Sequence, residues 1–512
     1  MKKIFLLALS SLFLFACSGD SADLKNYIPA NAKSLVMINN KAIVDEIKWD
    51  ILFGKGKMEF KIIDDALLRL LAENPVEAGV NLSAKSFVFT TDSVVCAMFP
   101  LNSGDDVQAL LSANTIEVTN GADFAFVQSA SSFAAIEDKA LFILWGNFNE
   151  NSSAMFIANL KDDKTEKLVN TKIRALDAIN SESHIALFGE ENTIASYLGK
   201  SLEGLIAEPA VKNKTSEFVA EFNFKNGKLE GKTKQYYEEG SMALKAFQKP
   251  SKIADMMAGV NVDNSMLSAG ISIDLMSFLM AQENEGTKHV VDSLMMLYIG
   301  MPSEMVASFI DGDFYASLNK VDVTVAEKVI KTREEQNDEE NIDFVEGPVL
   351  KFDYNAAFTL KDTIIGRMGL VRQLMEFAPS VKNSVYYFAG AKTYMFFKGY
   401  NVYFTSDEAA IASILSAKAT DTNPSLTTFS NGLNLNFTDL SKKLPVQIFP
   451  QMMPLINVFE KNIRSIKYST LPVKGKELEG EFVIEGANKN ENILVSLLRL
   501  LNEFKGYSAP QL

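Results

Sequence analysis

The chain has 512 residues, of which 47% are hydrophobic and 22% are charged, and this composition excludes a disordered or fibrous protein. Its formal net charge of −14 argues against binding to nucleic acid or to anionic lipid head groups. A chain of this length usually forms about two to four domains.

The N-terminus has the features of a bacterial export signal. Met1-Lys2-Lys3 precedes an apolar run from Ile4 to Phe15, which is shorter than the roughly 20 residues of a membrane-spanning helix. The run ends in Leu14-Phe15-Ala16-Cys17, which resembles the lipobox of bacterial lipoproteins. The resemblance implies cleavage before Cys17 and a lipid on that cysteine. The alternative is an ordinary secretory signal with an incidental cysteine.

Cleavage at this position would leave a signal peptide at residues 1–16 and a lipidated polar tether at residues 17–26. Several acyl chains anchor a protein durably, because each buried CH₂ contributes about 0.8 kcal/mol. No aspartate follows Cys17 directly. The sequence therefore favours the outer membrane over retention at the inner membrane. It does not distinguish the periplasmic leaflet from the surface-facing leaflet.

Cys17 and Cys96 are the only two cysteines of the chain. If Cys17 carries a lipid, Cys96 has no partner, and we predict a body without an intramolecular disulfide. Cys96 lies in the apolar run from Val94 to Phe99. This setting predicts a buried strand thiol rather than a nucleophile.

Five features recur in the same order in the two halves of the chain and predict an internal duplication. They are a strand before a helix, a Leu-rich helix before a strand, a strand running into a helix, a hairpin with a trailing helix, and a second hairpin before a helix. The first copies begin near residues 34, 64, 94, 133 and 226, and the second copies near residues 266, 290, 356, 394 and 474.

The last pair of hairpins has the most specific turn chemistry. The two turns read Asn226-Gly227-Lys228 and Lys474-Gly475-Lys476. The alternative to duplication is chance similarity, because any two stretches of an α+β protein share some pattern of strands and helices. We predict the α+β class with two similar halves, at 27–250 and 251–512, each a mixed or antiparallel sheet covered by amphipathic helices.

The segment after the tether is similar to a known group of proteins. Tyr27-Ile28-Pro29-Ala30-Asn31-Ala32 and the strand that follows resemble the opening of the Bacteroidota lipoproteins classed as domain of unknown function 4836. Ala78-Gly79-Val80-Asn81-Leu82 resembles a later segment of that group, from which Ala78 and Val80 depart. The resemblance implies an envelope lipoprotein without an assigned activity, and it implies no catalytic residue.

The sequence offers few groups for catalysis. His184 and His289 are its only histidines, and each lies in a stretch whose counterpart in the other half lacks one, which favours a structural role. No Cys–His cluster suits structural zinc, and no P-loop, nucleophile elbow, dinucleotide fingerprint or zinc-protease motif is present. We predict no cofactor, no metal and no catalytic residue.

Three acidic pairs need an interpretation. Asp311-Gly312-Asp313 could contribute to a cation site, but it lacks further spaced ligands, and a turn is the preferred interpretation. Asp64-Asp65 and Asp105-Asp106 are interpreted as acids at helix starts. Carboxylates for glycoside hydrolysis pair in space rather than in sequence, so that alternative stays open.

Methionines gather in the second half of the chain, where they favour either a core or an adaptable apolar surface. Core packing is the preferred interpretation. The clustered positions are Met256, Met257, Met295, Met296, Met301, Met305, Met452 and Met453.

Together these patterns predict an envelope lipoprotein that binds a partner or acts as a scaffold without catalysis. Its expected contacts are the membrane, through a lipid on Cys17, and an envelope protein, with no nucleic acid. One alternative is a carrier of a lipid or another apolar ligand in a Met-lined cleft. Another is an envelope hydrolase whose carboxylates assemble in space.

Overall fold

A computed structural model describes most of the chain in two compact units. The first unit comprises Met1–Leu244, Ala281–His289 and Val473–Leu512, and the second comprises Lys245–Met280 and Val290–Pro472. The described residues are 23–47, 66–129, 132–146, 148–190, 217–260, 265–281, 292–293, 303–330, 343–361, 380–382, 384–389, 392–418, 431–445 and 450–507.

The sheet of the first unit is antiparallel between all of its paired strands. Its strands hydrogen-bond in the order β4-β5-β6-β7-β3-β2-β1-β8-β9-β10. The strand bounds are β1 (Ser34–Asn39), β2 (Lys85–Thr90), β3 (Val95–Pro100), β4 (Thr119–Asn120), β5 (Ala125–Gln128), β6 (Ser132–Ile136), β7 (Ala140–Trp145), β8 (Ile185–Glu190), β9 (Glu217–Lys225) and β10 (Lys228–Tyr236).

Three helices of the first unit begin at polar caps that the sequence supplies. Ser103 accepts a hydrogen bond from Asp105 N, and Asn149 and Ser152 form a capping box. Asp105 and Asp106 lie in the first turn of their helix, which confirms their interpretation as helix-start acids. The helices are α1 (Asn40–Glu46), α2 (Ala66–Glu73), α3 (Gly104–Ala113), α4 (Glu150–Lys161), α5 (Leu168–Thr171) and α6 (Ile173–Asn180), after a 3₁₀ turn at Leu24–Tyr27.

The central strands of the first unit are buried on both faces, as near-continuous apolar runs are in covered sheets. On one face, Leu35 and Met37 of β1 belong to a core cluster with Ile157 of α4 and Ile179 of α6. Full burial of such a side chain contributes about 1.5–3 kcal/mol. This cluster is therefore a main source of stability in the first unit.

The sheet of the second unit repeats this strand order. Its strands pair antiparallel in the order β14-β15-β16-β17-β13-β12-β11-β18-β19, so that β11 takes the place of β1 and β19 that of β9. The bounds are β11 (Leu267–Ser272), β12 (Ile310–Ile330), β13 (Asp343–Leu360), β14 (Ser380–Lys382), β15 (Val385–Phe388), β16 (Thr393–Lys398), β17 (Asn401–Thr405), β18 (Asn431–Asn436) and β19 (Ile463–Thr470).

Helices and aromatic residues form the core of the second unit. Tyr315, Phe396 and Tyr403 pack with Ile253 and Ile411 on one face of the sheet. The helices, the first of which spans the boundary between the units, are α7 (Met242–Phe247), α8 (Ile253–Met257), α9 (Leu275–Ala281), α10 (Ser303–Phe309), α11 (Glu408–Ser416), α12 (Leu440–Lys443) and α13 (Met453–Asn462), with a 3₁₀ turn at Pro450–Met452.

The C-terminal segment belongs to the first unit. It contains β20 (Glu477–Gly486) and α14 (Ile493–Tyr507). Every residue of β10 has an antiparallel partner on β20, from Lys228 opposite Glu485 to Tyr236 opposite Glu477. The compact units therefore differ from the expected halves at 27–250 and 251–512, because this pairing brings residues 473–512 into the first unit.

Helices and antiparallel sheets in both units confirm the α+β class. The sequence allowed a mixed or an antiparallel sheet, and each strand pair given above is antiparallel. Within the described ranges, no helix has the combined length and apolar character that crossing a membrane requires.

The two matching hairpin turns give a prediction about packing. Gly227 and Gly475 have φ angles of +70° and +62°, so alanine at either position costs roughly 1–2 kcal/mol in backbone conformation. An added Cβ at Gly227 would lie 2.7 Å from Lys489 Cα, whereas nothing lies within 4 Å of one at Gly475.

We therefore expect Gly227→Ala to lower the free energy of unfolding by about 1–3 kcal/mol more than Gly475→Ala does, since crowding forces a backbone shift. Urea unfolding of the full chain measures both losses. Equal losses would show that the turn at Gly227 does not pack against the C-terminal segment.

Candidate functional site

A cluster of charged side chains surrounds the buried Asp313 in the second unit. Lys249 Nζ donates a hydrogen bond to Asp313 Oδ2, and the Oδ1 atom accepts bonds from Lys252 N at 3.1 Å and Ser272 Oγ at 2.7 Å. Asp311 Oδ2 accepts a bond from Lys252 Nζ at 2.7 Å and lies 3.6 Å from Lys249 Nζ. Two carboxylates thus face two ammonium groups.

The backbone at Gly312 places these carboxylates. The segment lies within β12, whose register shifts between Ile310 and Phe314. Gly312 has a φ of +92°, and an added Cβ there would lie 1.9 Å from Ile273 O. The prediction of a turn at Asp311-Gly312-Asp313 is wrong, because the glycine forms an irregularity inside a strand instead.

Asp311 and Lys252 each stabilise the charged form of the other. Burial alone would raise the pKa of Asp311, but hydrogen bonds and charge from Lys252 and Lys249 outweigh it and lower that pKa. The hydrogen bond that Lys252 Nζ donates to Asp311 raises the pKa of Lys252 in turn. Because the oxygens of Asp313 already accept three protein donors, this group is an ion network rather than an open cation site. Among the described residues, no three His, Cys, Asp or Glu side chains come together as a metal site.

Cys96 and His184 serve the packing of the first unit. Cys96 lies fully buried in β3, which confirms the predicted strand thiol, and burial raises its pKa so that the thiolate is disfavoured. His184 Nδ1 accepts a hydrogen bond of 2.9 Å from Phe224 N, and the two rings stack. Burial lowers the pKa of His184, which keeps the imidazole neutral as an acceptor.

Several residues singled out in the sequence fall outside the part of the chain that the structure describes. They are Cys17, Asp64, Asp65, His289, Met295, Met296 and Met301.

The remaining methionines divide between core and surface. Met256 and Met257 of α8 are buried in the core cluster of the second unit, as the core interpretation expects. Met305 and Met452 are exposed, and so are three apolar side chains of α9 that the sequence reasoning did not single out, namely Met276, Phe278 and Met280.

A patch of small and polar residues lies on three neighbouring strands of the second unit. In the register of the sheet, Ser268 is opposite both Ser317 and Asn434, and Gly270 is opposite both Tyr315 and Gly432. Residues opposite each other share one face of a sheet, as do alternate residues of one strand. We call these six residues the polar patch: Ser268 and Gly270 of β11, Tyr315 and Ser317 of β12, and Gly432 and Asn434 of β18.

The polar patch lies on the face that α8 covers. Tyr315 packs in one core cluster with Ile253, and an added Cβ at Gly270 would lie 2.9 Å from Ile253 Cγ2. Tyr315 Oη, Ser317 Oγ and Asn434 Oδ1 are buried, and none has a hydrogen-bond partner of normal geometry in the described ranges. Burial raises the pKa of Tyr315 to about 12, and the Ser317 hydroxyl opposes that rise in part.

The first unit has apolar residues, most of them large, at the corresponding positions of its sheet. Leu35 is opposite Phe89 and Phe188, and Met37 is opposite Phe87 and Ala186. All of these side chains belong to its core cluster. The second unit therefore has smaller or more polar residues on this face of its central strand than the first unit has, and an alignment of β1 with β11 is the sequence signal that could have shown the difference.

Comparisons with known proteins find few matches. No family model matches the chain, and no curated protein matches it either. The structure of crystal form I of TP0453 is 9% identical with a TM-score of 0.30, and covers 43% of this chain and 81% of that one. Crystal form III of the same protein is 7% identical with a TM-score of 0.30, and covers 43% and 82%. A TM-score of 0.30 is too low to support a conclusion about fold or function.

The ion network gives a prediction about stability. Asp313→Ala leaves the ammonium of Lys249, whose side chain is only 10% exposed, without its main partner, and we expect a loss of roughly 3–5 kcal/mol in the free energy of unfolding. Lys252→Ala removes a side chain that is 50% exposed, and we expect a loss below about 1 kcal/mol. Urea unfolding at neutral pH compares the two variants. A loss for Asp313→Ala as small as that for Lys252→Ala would contradict the structural role of the network.

Proposed function

We propose that the protein is a lipoprotein of the bacterial cell envelope, anchored through a lipid on Cys17, and that its folded body binds or scaffolds a partner without catalysis. The observation that carries the anchor is Leu14-Phe15-Ala16-Cys17 at the end of a short apolar run behind two lysines. The outer membrane is the proposed location, because no aspartate follows Cys17 directly.

The described chemistry supports a binding role over catalysis. The carboxylates of Asp311 and Asp313 are held by lysine ammonium groups, the thiol of Cys96 is buried, and His184 accepts a backbone hydrogen bond. Groups that are already engaged in this way are poorly placed to attack a substrate or to transfer a proton. The same contacts weigh against the alternative of a hydrolase built on Asp311 and Asp313.

A carrier of a lipid or another apolar ligand is a second candidate function. The observation that favours it is the exposed apolar surface of α9, where Met276, Phe278 and Met280 reach solvent, together with Met305 of α10. Methionine side chains adapt to apolar ligands of varied shape. Mass spectrometry of protein extracted from native envelopes should then detect a bound amphiphile, and extracts free of one would remove this candidate.

We also propose that the chain arose by duplication of one ancestral unit, with its copies at 27–250 and 251–512. Nine strands of the second unit follow the same order as nine of the first, which supports this origin. The turns at Gly227 and Gly475 share the same left-handed backbone conformation. Membership in the group classed as domain of unknown function 4836 is part of the same proposal and depends on the motifs near residues 28 and 79.

The lipid anchor predicts the behaviour of a Cys17→Ser variant. Without the thiol, lipidation and the cleavage that follows it fail, so we expect the product to take up no labelled fatty acid and to migrate as the longer precursor. Cell fractionation, metabolic labelling and electrophoresis measure these effects.

Cys96→Ala is the matched control, because Cys96 is the only other cysteine and is buried. It should keep both the label and the mobility of the native protein. A Cys17→Ser protein that keeps its membrane attachment and mobility would remove the basis of the proposed anchor.

The binding role predicts a stable partner. Affinity purification of the protein from detergent-solubilised envelopes, after reversible cross-linking in intact cells, should enrich one envelope component reproducibly. The Cys17→Ser variant serves as a control for proximity to the membrane, since it should lose partners that depend on the anchor. Repeated purification without any enriched component would count against a scaffold.

A further inference from the structure

We propose that the outer face of the sheet of the second unit, on the side opposite to α8, is a docking surface for an amphipathic helix of a protein partner. The inference deepens the binding role proposed above and rests on it. It is supported by the exposure of apolar side chains on this face, by the helices that cover the same face of the first unit, and by the charge at one end of the surface.

Seven apolar residues occupy this face on three neighbouring strands. In the register of the sheet, Ala269 is opposite Leu433, which is opposite Tyr468 in turn. Alternate residues of a strand share a face, so these side chains lie on the side opposite to Gly270 and α8. We call the following residues the outer patch: Leu267, Ala269 and Ile271 of β11, Leu433 and Leu435 of β18, and Ile466 and Tyr468 of β19.

The outer patch is open to solvent. Each of its residues is exposed or half-buried, and Ile271 is 41%, Leu433 40% and Tyr468 37% exposed. Helix α9 follows β11 in sequence and presents further exposed apolar side chains at Met276 and Met280. Single apolar residues are common on protein surfaces, whereas a contiguous group of them marks an interaction surface.

The corresponding positions of the first unit are closed to solvent. In the matching register, Ile38 of β1 takes the place of Ile271, and Ala220 of β9 takes the place of Tyr468. Ile38 and Ala220 are both 0% exposed. The same face of the repeated sheet is therefore covered in one unit and open in the other.

Two helices cover this face of the first unit, and both pack against β9. α1 begins on it, because Asn40 Nδ2 donates a hydrogen bond of 3.0 Å to Ser86 Oγ, and Ser86 is opposite Ile38 in the sheet. α14 lies on it as well. Gly486 of β20 shares the face through the register of β9, β10 and β20, and an added Cβ there would lie 2.9 Å from Ile493 Cδ1. A helix is thus the element with which the repeat covers this face.

The chemistry of α14 defines the expected partner. Its buried Leu494, Val495 and Leu498 form an apolar stripe at helical spacing. A partner helix with such a stripe can bind the outer patch, as amphipathic helices bind apolar grooves in other proteins. Arg464 is exposed and shares a face of β19 with Ile466, so a carboxylate beside the stripe would complement its charge. A bilayer fits less well, because the net charge of −14 opposes anionic lipid.

Site-specific photo-cross-linking in intact cells tests this surface. p-Benzoylphenylalanine is incorporated at Leu433 of the full anchored chain, and mass spectrometry identifies the segment to which it attaches. We expect a segment of an envelope protein whose apolar residues recur at helical spacing. The matched control is incorporation at Met155, which is 75% exposed in the first unit and should not attach to that segment.

A Leu433→Asp variant tests the same contact without the photo-reactive group. Its carboxylate would be buried against the apolar stripe of the partner, so we expect recovery of that partner in the affinity purification to fall by about tenfold or more. Because Leu433 is exposed, the melting temperature should stay close to that of the native protein. Met155→Asp is the matched control and should leave the recovery unchanged.

Several outcomes would overturn the proposal. Position 433 could cross-link only to lipid, only to a second copy of this chain, only to a protein segment without helical spacing, or no more than position 155 does. Full recovery of the partner by Leu433→Asp would overturn it as well. If the purification still enriches an envelope component in these cases, the binding role stands and only this surface is rejected.

Discussion

Each unit has a central strand, and the pairing of that strand with its two neighbours determines the architecture of the unit. β1 lies between β2 and β8, and β11 lies between β12 and β18. A central strand covered on both faces has little room for exposed polar side chains, so its residues are constrained by packing on either side. The first unit satisfies this constraint with Leu35, Met37 and their large neighbours. The second unit keeps the same order of strands, but β11 is less covered than β1, since its Ile271 is 41% exposed.

The strand order is repeated even where the side chains that support it have changed. In the first unit, Glu137 after β6 forms an ion pair with Lys161 at the end of α4. In the second unit, Lys398 of β16 donates instead to Ile414 O at 2.6 Å and Ala417 O at 2.7 Å, at the end of α11. Each contact joins a hairpin to the last turn of the following helix, where a cation is favoured by the helix dipole. The two units thus join a hairpin to the end of a helix with different residues and different kinds of contact.

Local signals allowed much of the fold to be predicted, whereas contacts between distant residues could not be. The acids at 105 and 106, the strand around Cys96 and the turns at Gly227 and Gly475 depend on nearby residues, and their conformations agree with the sequence patterns. The addition of β20 to the first unit depends on its register with β10, for which the sequence has no local signal. The prediction of a turn at residues 311–313 was wrong for the same reason. The lysines that hold these carboxylates in place lie 61 and 64 residues from Asp313 in sequence. The polar patch depends on which strands lie on either side of β11, and the sequence has no local signal for these neighbours.

The buried ion network and the polar patch are parts of one arrangement along β12. Asp313, Tyr315 and Ser317 alternate along the strand and therefore share a face. Asp313 accepts a hydrogen bond from the backbone of Lys252, the residue at the N-terminal cap of α8. The network thus fixes the start of the helix that lies over Gly270 and Tyr315. A buried ion pair is seldom the most stabilising choice for a core. Here the buried Asp313 also binds the backbone at the start of α8, so that the ion network and the packing of α8 on Gly270 and Tyr315 depend on each other.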